Sequence, residues 1–213
     1  MFSNPFKLTY PEQSRPQLSR RGGVGLFFAA LILICAPASA QASAGTCPSS
    51  SASEPFARWG DTSSYTLVSQ GDFEGSLSQW TLSGGASTAA GSEPYGATGA
   101  VGKLSLALPA GASAQSPYTC VTASDPTFRF FARNSTVLST LAVAVVYKTI
   151  LGTLAVPLGA VALSDTWQPT LPMLTASVVA GLLSGGTAEL ALRFTALTGS
   201  SQIDDVFVDP RMR

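Results

Sequence analysis

The chain has 213 residues, of which 11% are charged, and 12 basic and 12 acidic side chains leave it with no formal net charge. It contains no histidine, which excludes a Ser-His-Asp triad, a Cys-His pair and imidazole-bound zinc. No cluster of basic residues indicates binding to nucleic acid or to an anionic membrane surface.

Residues 1–40 have the pattern of a secretory signal peptide. A basic lead that includes Arg20 and Arg21 precedes residues 22–36, which carry no charge. This apolar run of about 15 residues suits a signal and is shorter than the roughly 20 residues that span a bilayer. Small residues follow, so we expect cleavage near Ala40 or Ala44, and both general and twin-arginine export remain open. The mature protein is predicted to be secreted, with no membrane segment after signal removal.

Residues 41–64 are predicted to be a flexible lead-in, because residues 41–53 show no apolar periodicity. Two cysteines remain after signal removal, Cys47 in this lead-in and Cys120 further on. An even pair in an oxidising compartment indicates one disulfide, and two unpaired thiols are the alternative. On a loop-entropy estimate such a bridge contributes about 4 kcal/mol.

Residues 65–213 are predicted to form an all-β domain, an antiparallel β-sandwich with at most one short helix. Short apolar runs are separated by Gly, Pro and Ser, which is typical of this architecture. The helix candidate is 174–183, weakened by Gly181 and by β-branched residues. The predicted strands are 65–69, 79–82, 103–108, 119–122, 127–133, 141–148, 153–158, 167–171, 188–195 and 202–208.

Alternating patterns indicate which strand faces are buried. In residues 187–197, Leu190, Leu192 and Phe194 share one side, which should face the core. In residues 127–133, Phe128 and Phe130 lie on one face and Phe131 on the other. Residues 141–147 are apolar on both faces, as expected for a central strand, and the small side chains at 142 and 144 leave space above the sheet.

Two acidic segments flank the predicted sandwich, residues 71–75 (GDFEG) and 203–209 (IDDVFVD). Each interleaves acids with core-forming residues, so adjacent first and last strands would bring carboxylates to one sheet edge. Oxygen ligands of this kind suit a hard cation such as Ca²⁺. Alternatively, Asp72 and Asp204 are solvated strand ends.

These segments, with Trp80 and a strand beginning at Trp167, resemble the jelly-roll carbohydrate-binding modules of bacterial cellulases and xylanases, in the galactose-binding-like superfamily. The resemblance covers roughly residues 65–210 and implies that both tryptophans fill the core. A narrower similarity is to small secreted actinobacterial proteins of unassigned function. The motifs that carry it are Cys47-Pro48, Trp59-Gly60-Asp61, residues 72–75, Glu93-Pro94-Tyr95 and residues 204–210.

The resemblance also implies a structural calcium ion, because in such modules calcium commonly ties the first strand to the last. Carried over residue by residue, the implied ligands are Asp72, Glu74, Asp204 and Asp205, with backbone carbonyls completing the shell.

Sugar binding requires exposed aromatic faces with directional polar groups beside them. The candidate ligand-binding residues are Tyr95, Arg129, Phe131 and Tyr147, and Arg133 and Arg193 are further polar neighbours. Tyr95, in the Gly- and Ser-rich stretch 84–102, is the best exposed aromatic. Trp59 suits either the covering of a sheet edge or contact with a ligand.

Two functions follow from these observations. The first is a non-catalytic secreted module that binds a glycan or another extracellular ligand. The second is a structural protein that contacts extracellular proteins or has no ligand. Catalysis is not expected, because the remaining acids are scattered singly and the clustered acids are better explained as a metal site. Paired carboxylates can support glycoside hydrolysis, so a glycosidase is the enzymatic alternative.

Overall fold

The computed structural model describes residues 47–48, 50–122, 127–136, 138–149, 151–175 and 187–209. These residues form two antiparallel sheets, and the one helical element among them is a 3-10 turn at Ala57–Trp59. The predicted all-β antiparallel sandwich is confirmed. The predicted signal peptide and most of the helix candidate 174–183 lie outside the described residues. Within the described part, no helix has the length and apolarity needed to cross a membrane.

Fourteen strands follow one another along the described chain. They are β1 (Ala52–Ser53), β2 (Tyr65–Leu67), β3 (Thr81–Ser83), β4 (Ser87–Ala90), β5 (Leu104–Leu108), β6 (Ser113–Gln115), β7 (Thr119–Thr122), β8 (Thr127–Asn134), β9 (Thr140–Thr149), β10 (Gly152–Ala162), β11 (Gln168–Pro169), β12 (Met173–Leu174), β13 (Thr187–Thr198) and β14 (Ser201–Val208).

The first sheet is organised around β14. This strand pairs along one side with β8, and along the other side with β5 near its start and with β2 near its end. Strand β1 extends the sheet beyond β2, β4 extends it beyond β5, and β11 and β12 pair with β8. The last described strand therefore lies at the centre of the sheet.

The second sheet has the order β10-β9-β13-β6-β3, and β7 also pairs with β13. Strands β9 and β10 pair over almost their whole length, with an irregularity between Pro157 and Gly159. The predicted central position of the apolar run 141–147 is confirmed, because β9 lies between β10 and β13.

The main core lies between the two sheets. Leu190, Leu192 and Phe194 are buried in it, as their alternation predicts, together with Phe130 of the first sheet. Trp80 is also in this core, where its ring lies 6.3 Å from that of Phe194. At about 25 cal/mol per Å² of buried apolar area, aromatic side chains of this size contribute strongly to stability.

A second apolar cluster covers the opposite side of the first sheet. It consists of Phe56, Tyr65, Phe131, Trp167 and Phe207, and Phe56 and Phe131 stack with 5.4 Å between ring centroids. Because Phe56 is fully buried, the chain around residues 55–61 packs as part of the sandwich. This part of the predicted lead-in is therefore not a flexible segment.

The predicted disulfide between Cys47 and Cys120 is present. It attaches the chain at residue 47 to β7, in the second sheet, while Phe56 packs on the first sheet. A disulfide is consistent with an extracellular protein.

Candidate functional site

The two acidic segments lie side by side, and backbone hydrogen bonds join them. Val68 N donates to Val206 O over 2.8 Å, and Val206 N donates to Gly71 O over 3.0 Å. A register irregularity in β14 between Asp204 and Phe207 frees Val206 for these bonds. The predicted adjacency of the first and last strands is therefore confirmed by the β2 to β14 pairing.

Three carboxylates are buried beside this junction, those of Glu93, Asp204 and Asp205, which we call the acidic cluster. Asp204 Oδ2 accepts hydrogen bonds from Ser92 Oγ (2.7 Å) and from the backbone N of Glu93 (2.9 Å). Glu93 in turn accepts from the backbone N of Tyr95 and of Ala97. These bonds fold the Glu93-Pro94-Tyr95 motif against the first sheet.

Burial and mutual repulsion act together on the two aspartates of the acidic cluster. The pKa of Asp204 is raised to about 7, mainly by burial and further by the negative charge of Glu93. Hydrogen bonds from Ser92 and from two backbone amides lower this pKa but do not outweigh the burial. Burial also raises the pKa of Asp205, followed by the charges of Asp204 and Glu93. Within the described chain none of these carboxylates has an Arg or Lys ion-pair partner. A proton or a bound cation is therefore needed to offset the buried negative charge.

The four residues predicted to bind calcium are not brought together as a set. Glu74 is exposed, and its Oε1 accepts hydrogen bonds from the backbone N of Lys103 and of Leu104. Asp72 is half-buried, and its charge acts on Asp205. The buried position next to the two aspartates belongs instead to Glu93, which sequence reasoning treated as an isolated acid.

The donor set of the acidic cluster contains only oxygen, which suits calcium. Several of these oxygens already accept backbone hydrogen bonds, however, and no three acidic side chains among the described residues are arranged around a metal position. The donor chemistry of these residues fits calcium.

Three of the four predicted ligand-binding residues lie inside the protein. Phe131 is fully buried in the second apolar cluster, and Tyr147 is 2% exposed, with its hydroxyl donating to Thr175 O over 2.6 Å. Arg129 is 5% exposed. A buried ring offers no face on which a sugar can stack, so Phe131 and Tyr147 do not form the expected platform.

Arg129, on β8 of the first sheet, forms a largely buried ion pair with Asp61. Its Nη1 donates to Asp61 Oδ2 over 2.7 Å, its Nε donates to Thr170 O, and its guanidinium lies 4.1 Å from the centre of the Phe56 ring. The side chain therefore attaches the segment around residues 56–61 to β8. This role explains why Arg129 is not available to a ligand.

Tyr95 is half-buried and packs within the second apolar cluster. Its ring meets that of Trp59 edge to face at 4.9 Å, and the guanidinium of Arg58 lies 4.9 Å from its centre. The Tyr95 hydroxyl donates to Trp167 O over 2.9 Å. Of the two interpretations of Trp59, these contacts favour the covering role, but Trp59 packs against Phe131 on the face of the first sheet and not at a sheet edge.

A cavity of about 880 Å³ opens at one end of the sandwich, and we call it the end pocket. The connections between β8 and β9, β10 and β11, and β13 and β14 meet there. Most of the side chains that line it are polar, and the described lining residues are Arg133, Asn134, Ser135, Thr136, Leu138, Ser139, Thr140, Ala162, Leu163, Asp165 and Gln202.

Arg133 is the cationic side chain of the end pocket. Its Nε donates to Gln202 Oε1 over 2.6 Å, and its guanidinium lies 5.0 Å from the centre of the Trp167 ring. Trp167 is 6% exposed, and the resemblance implied that it is a core residue. One face of its ring packs against the guanidinium. Sequence reasoning named Arg133 only as a polar neighbour.

A smaller cavity of about 480 Å³ lies beside β10. Its described lining contains no charged side chain and is formed by apolar residues such as Val156, Leu158 and Met173. Hydroxyl groups need directional polar partners, so this cavity does not suit a sugar.

The outer side of the second sheet is lined by small side chains, as the sequence predicts for positions 142 and 144. Arg193 crosses it, and its Nε and Nη2 donate to Gln115 Oε1 over 3.1 and 2.8 Å. Ser83 and Ser113 hydrogen-bond to each other on neighbouring strands. This Ala- and Ser-lined face has polar groups, but they bond largely with one another.

No protein-family model and no curated protein sequence matches the chain. Among solved structures it is similar to a xylan-binding domain of carbohydrate-binding family 22, with 18% identity over 70% of this chain and 96% of that one, and a TM-score of 0.44. It is similar to a family 11 carbohydrate-binding module of a Clostridium thermocellum cellulase, with 13% identity over 68% and 94% and a TM-score of 0.44.

A further likeness is to the enzymatically active domain of tailspike protein 4 from bacteriophage CBA120, with 21% identity over 67% of this chain and a TM-score of 0.42. The chain spans only 21% of that domain, and 27% of a similar Clostridium thermocellum xylanase structure. At TM-scores below 0.5 these likenesses assign no function to the chain.

Proposed function

We propose that the chain is a secreted, non-catalytic β-sandwich module that binds a glycan in the end pocket. The observation that carries this proposal is the cavity itself, because its volume of about 880 Å³ is in the range of small-molecule sites and its side chains supply several polar groups. Arg133 and Asp165 supply charged hydrogen-bonding groups, and Asn134 and Gln202 supply amides.

The proposed binding site is thus the polar end pocket, and not the exposed aromatic surface expected from the sequence. Sugar hydroxyls can donate to the Asp165 carboxylate and accept from the Arg133 guanidinium, so both polarities of hydrogen bond are available. Trp167 connects Tyr95 to this site. The Tyr95 hydroxyl donates a hydrogen bond to the Trp167 carbonyl, and the Trp167 ring packs against the Arg133 guanidinium. One of the predicted ligand-binding residues thus belongs to the support of the proposed site.

A pair of Ser→Trp variants tests the location. Ser135 is exposed and lines the end pocket, whereas Ser87 is exposed on β4 in the first sheet. The mature protein is expected to bind at least one polysaccharide of an immobilised panel. Ser135→Trp fills the pocket and should weaken that binding at least tenfold, while Ser87→Trp should leave it unchanged. Equal binding by both variants would place the ligand elsewhere.

The second candidate function is that of a structural or protein-contacting module. The Ala- and Ser-lined outer side of the second sheet favours it, because this face presents small side chains and an arginine already bonded to Gln115. Failure of the mature protein to bind any polysaccharide of a broad panel would support this candidate over glycan binding.

We also propose a structural calcium ion at the acidic cluster, held by Asp205 and Glu93 with Asp72 nearby. The support is the burial of three carboxylates without a cationic partner. Bound calcium would neutralise their charge and tie the Glu93 segment to β14. Extracellular calcium modules bind with dissociation constants of about 10⁻⁴ to 10⁻³ M.

Calcium at 10 mM is therefore expected to raise the melting temperature by about 3 to 10 °C over the value in chelator. Asp205→Asn should abolish this increase, because it removes a carboxylate from the buried set. Glu74→Gln is the matched control and should keep the increase, since Glu74 is committed to the backbone of residues 103 and 104. Differential scanning calorimetry measures both, and an unchanged wild-type transition in chelator contradicts the calcium proposal.

A further inference from the structure

The guanidinium of Arg133 is held in place but is not neutralised. Its Nε is bonded to Gln202 and one of its faces lies over Trp167. The described structure contains two ion pairs, Arg129 with Asp61 and Lys148 with Glu189, and Arg133 belongs to neither. Within the described chain, its two terminal nitrogens have no hydrogen-bond partner.

Arg133 is partly exposed, and a glycine lies next to one of its terminal nitrogens. This glycine is Gly91, at φ +100°, and a Cβ at this position would come to 3.6 Å from Arg133 Nη2. Because residue 91 is a glycine, no side chain of this residue lies against the nitrogen. Asp165 lines the same pocket, but it is exposed and not paired with Arg133.

Of the other arginines of the described chain, two are bonded to protein acceptors, and the third, Arg58, is not among the residues that line the end pocket. Arg129 is buried against Asp61, and Arg193 directs two nitrogens at the same Gln115 oxygen. Arg58 covers the rings of Trp59 and Tyr95. Arg133 combines a guanidinium plane fixed by Gln202 and Trp167 with terminal nitrogens that have no described hydrogen-bond partner, and it lines the end pocket.

We infer that the end pocket selects a glycan that bears a carboxylate, and that the two terminal nitrogens of Arg133 bind this group; the inference rests on the glycan-binding function proposed above. The planar fork of a guanidinium matches the two oxygens of a carboxylate and forms paired charge-assisted hydrogen bonds. A uronic acid is the chemical class that supplies a carboxylate together with ring hydroxyls for the amides and for Asp165.

The ligand pair that tests this inference is an oligogalacturonate and its methyl ester, which has the same hydroxyls and no charge. Isothermal titration calorimetry with the mature protein is expected to show at least tenfold tighter binding of the acid, with the difference shrinking as salt rises. Arg133→Gln should lose at least tenfold in affinity for the acid and little for the ester. Arg133→Lys, which keeps the charge without the fork, should be intermediate.

Arg193→Gln is the matched control, because Arg193 is also partly buried and bonded to a glutamine oxygen. It should bind the acid as wild type does. If the wild type binds the acid and the ester equally, and Ser135→Trp binds neither, the carboxylate inference is overturned while glycan binding in the end pocket still holds. Preference for dextran sulfate over the uronate also overturns it. No binding of any glycan removes the proposed function together with the inference.

Discussion

Asp61→Asn is expected to lower the free energy of unfolding by about 3 kcal/mol, because it leaves the buried guanidinium of Arg129 without its counter-ion. Arg129 is 6% exposed and Asp61 19% exposed as side chains, so the low end of the range for buried pairs applies. Asp61 Oδ2 also accepts from the Tyr65 hydroxyl over 2.7 Å. Thermal unfolding should show a melting temperature lower by about 6 to 12 °C.

The pH dependence of this loss follows from the pKa of Asp61. Burial alone would raise that pKa, but hydrogen bonds from Tyr65 and Arg129 outweigh it, and the net effect is a pKa below the ordinary 3.8. The ionised Asp61 thus stabilises the fold above pH 4, and this contribution is lost as the pH falls through the lowered pKa. The difference between wild type and Asp61→Asn should accordingly shrink in strong acid.

Glu189→Gln is the control for this experiment. It removes the partner of Lys148 from an ion pair of nearly the same length, 2.8 Å, but with both side chains more than half exposed. Exposed pairs contribute little, so no measurable change is expected. An Asp61→Asn protein as stable as Glu189→Gln would show that the segment around residues 56–61 is not held through Arg129.

Replacement of both bridge cysteines, Cys47→Ser with Cys120→Ser, is expected to cost about 4 kcal/mol. The sequence separation is 73 residues, and closing a loop of that size in the unfolded chain removes a corresponding amount of entropy. Urea unfolding should show a lower midpoint, and a slope that is equal or larger because the unfolded chain without the bridge is less compact.

A reductant separates the bridge from the side chains themselves. Wild-type protein in dithiothreitol should unfold at the midpoint of the double variant, and the variant should not respond to dithiothreitol. If the urea midpoint of the wild-type protein is the same with and without dithiothreitol, the bridge does not stabilise the fold.

Sequence patterns located the long strands because each has its own apolar periodicity. The predicted limits of β7 match the structure, and those of β8 and β9 differ by one residue at the ends. Strands β1, β4, β6 and β12 have two to four residues and were not predicted. Three of these segments consist of Ser, Ala, Thr or Gln, and all four become strands because neighbouring strands pair with them, which a local sequence pattern does not record.

The candidate site was harder to predict, since its parts are distant in the sequence. Phe131 looked available because it alternates with core residues, yet Phe56 covers it from 75 residues earlier. The end pocket combines three connections, and only the folded topology brings Arg133 to Gln202 and Asp165. The motif Glu93-Pro94-Tyr95 was a usable signal for the acidic cluster, but its spacing gave no reason to place Glu93 beside Asp204.

The central position of β14 also determines when the protein can fold. Its partners β2, β5 and β8 are all synthesised earlier, and none of them pairs with another of the three along the described ladder. During synthesis the first sheet therefore has no organising strand until residues 201–208 emerge. The sandwich is then completed in a late step, through the non-local pairings that make β-rich folding slow.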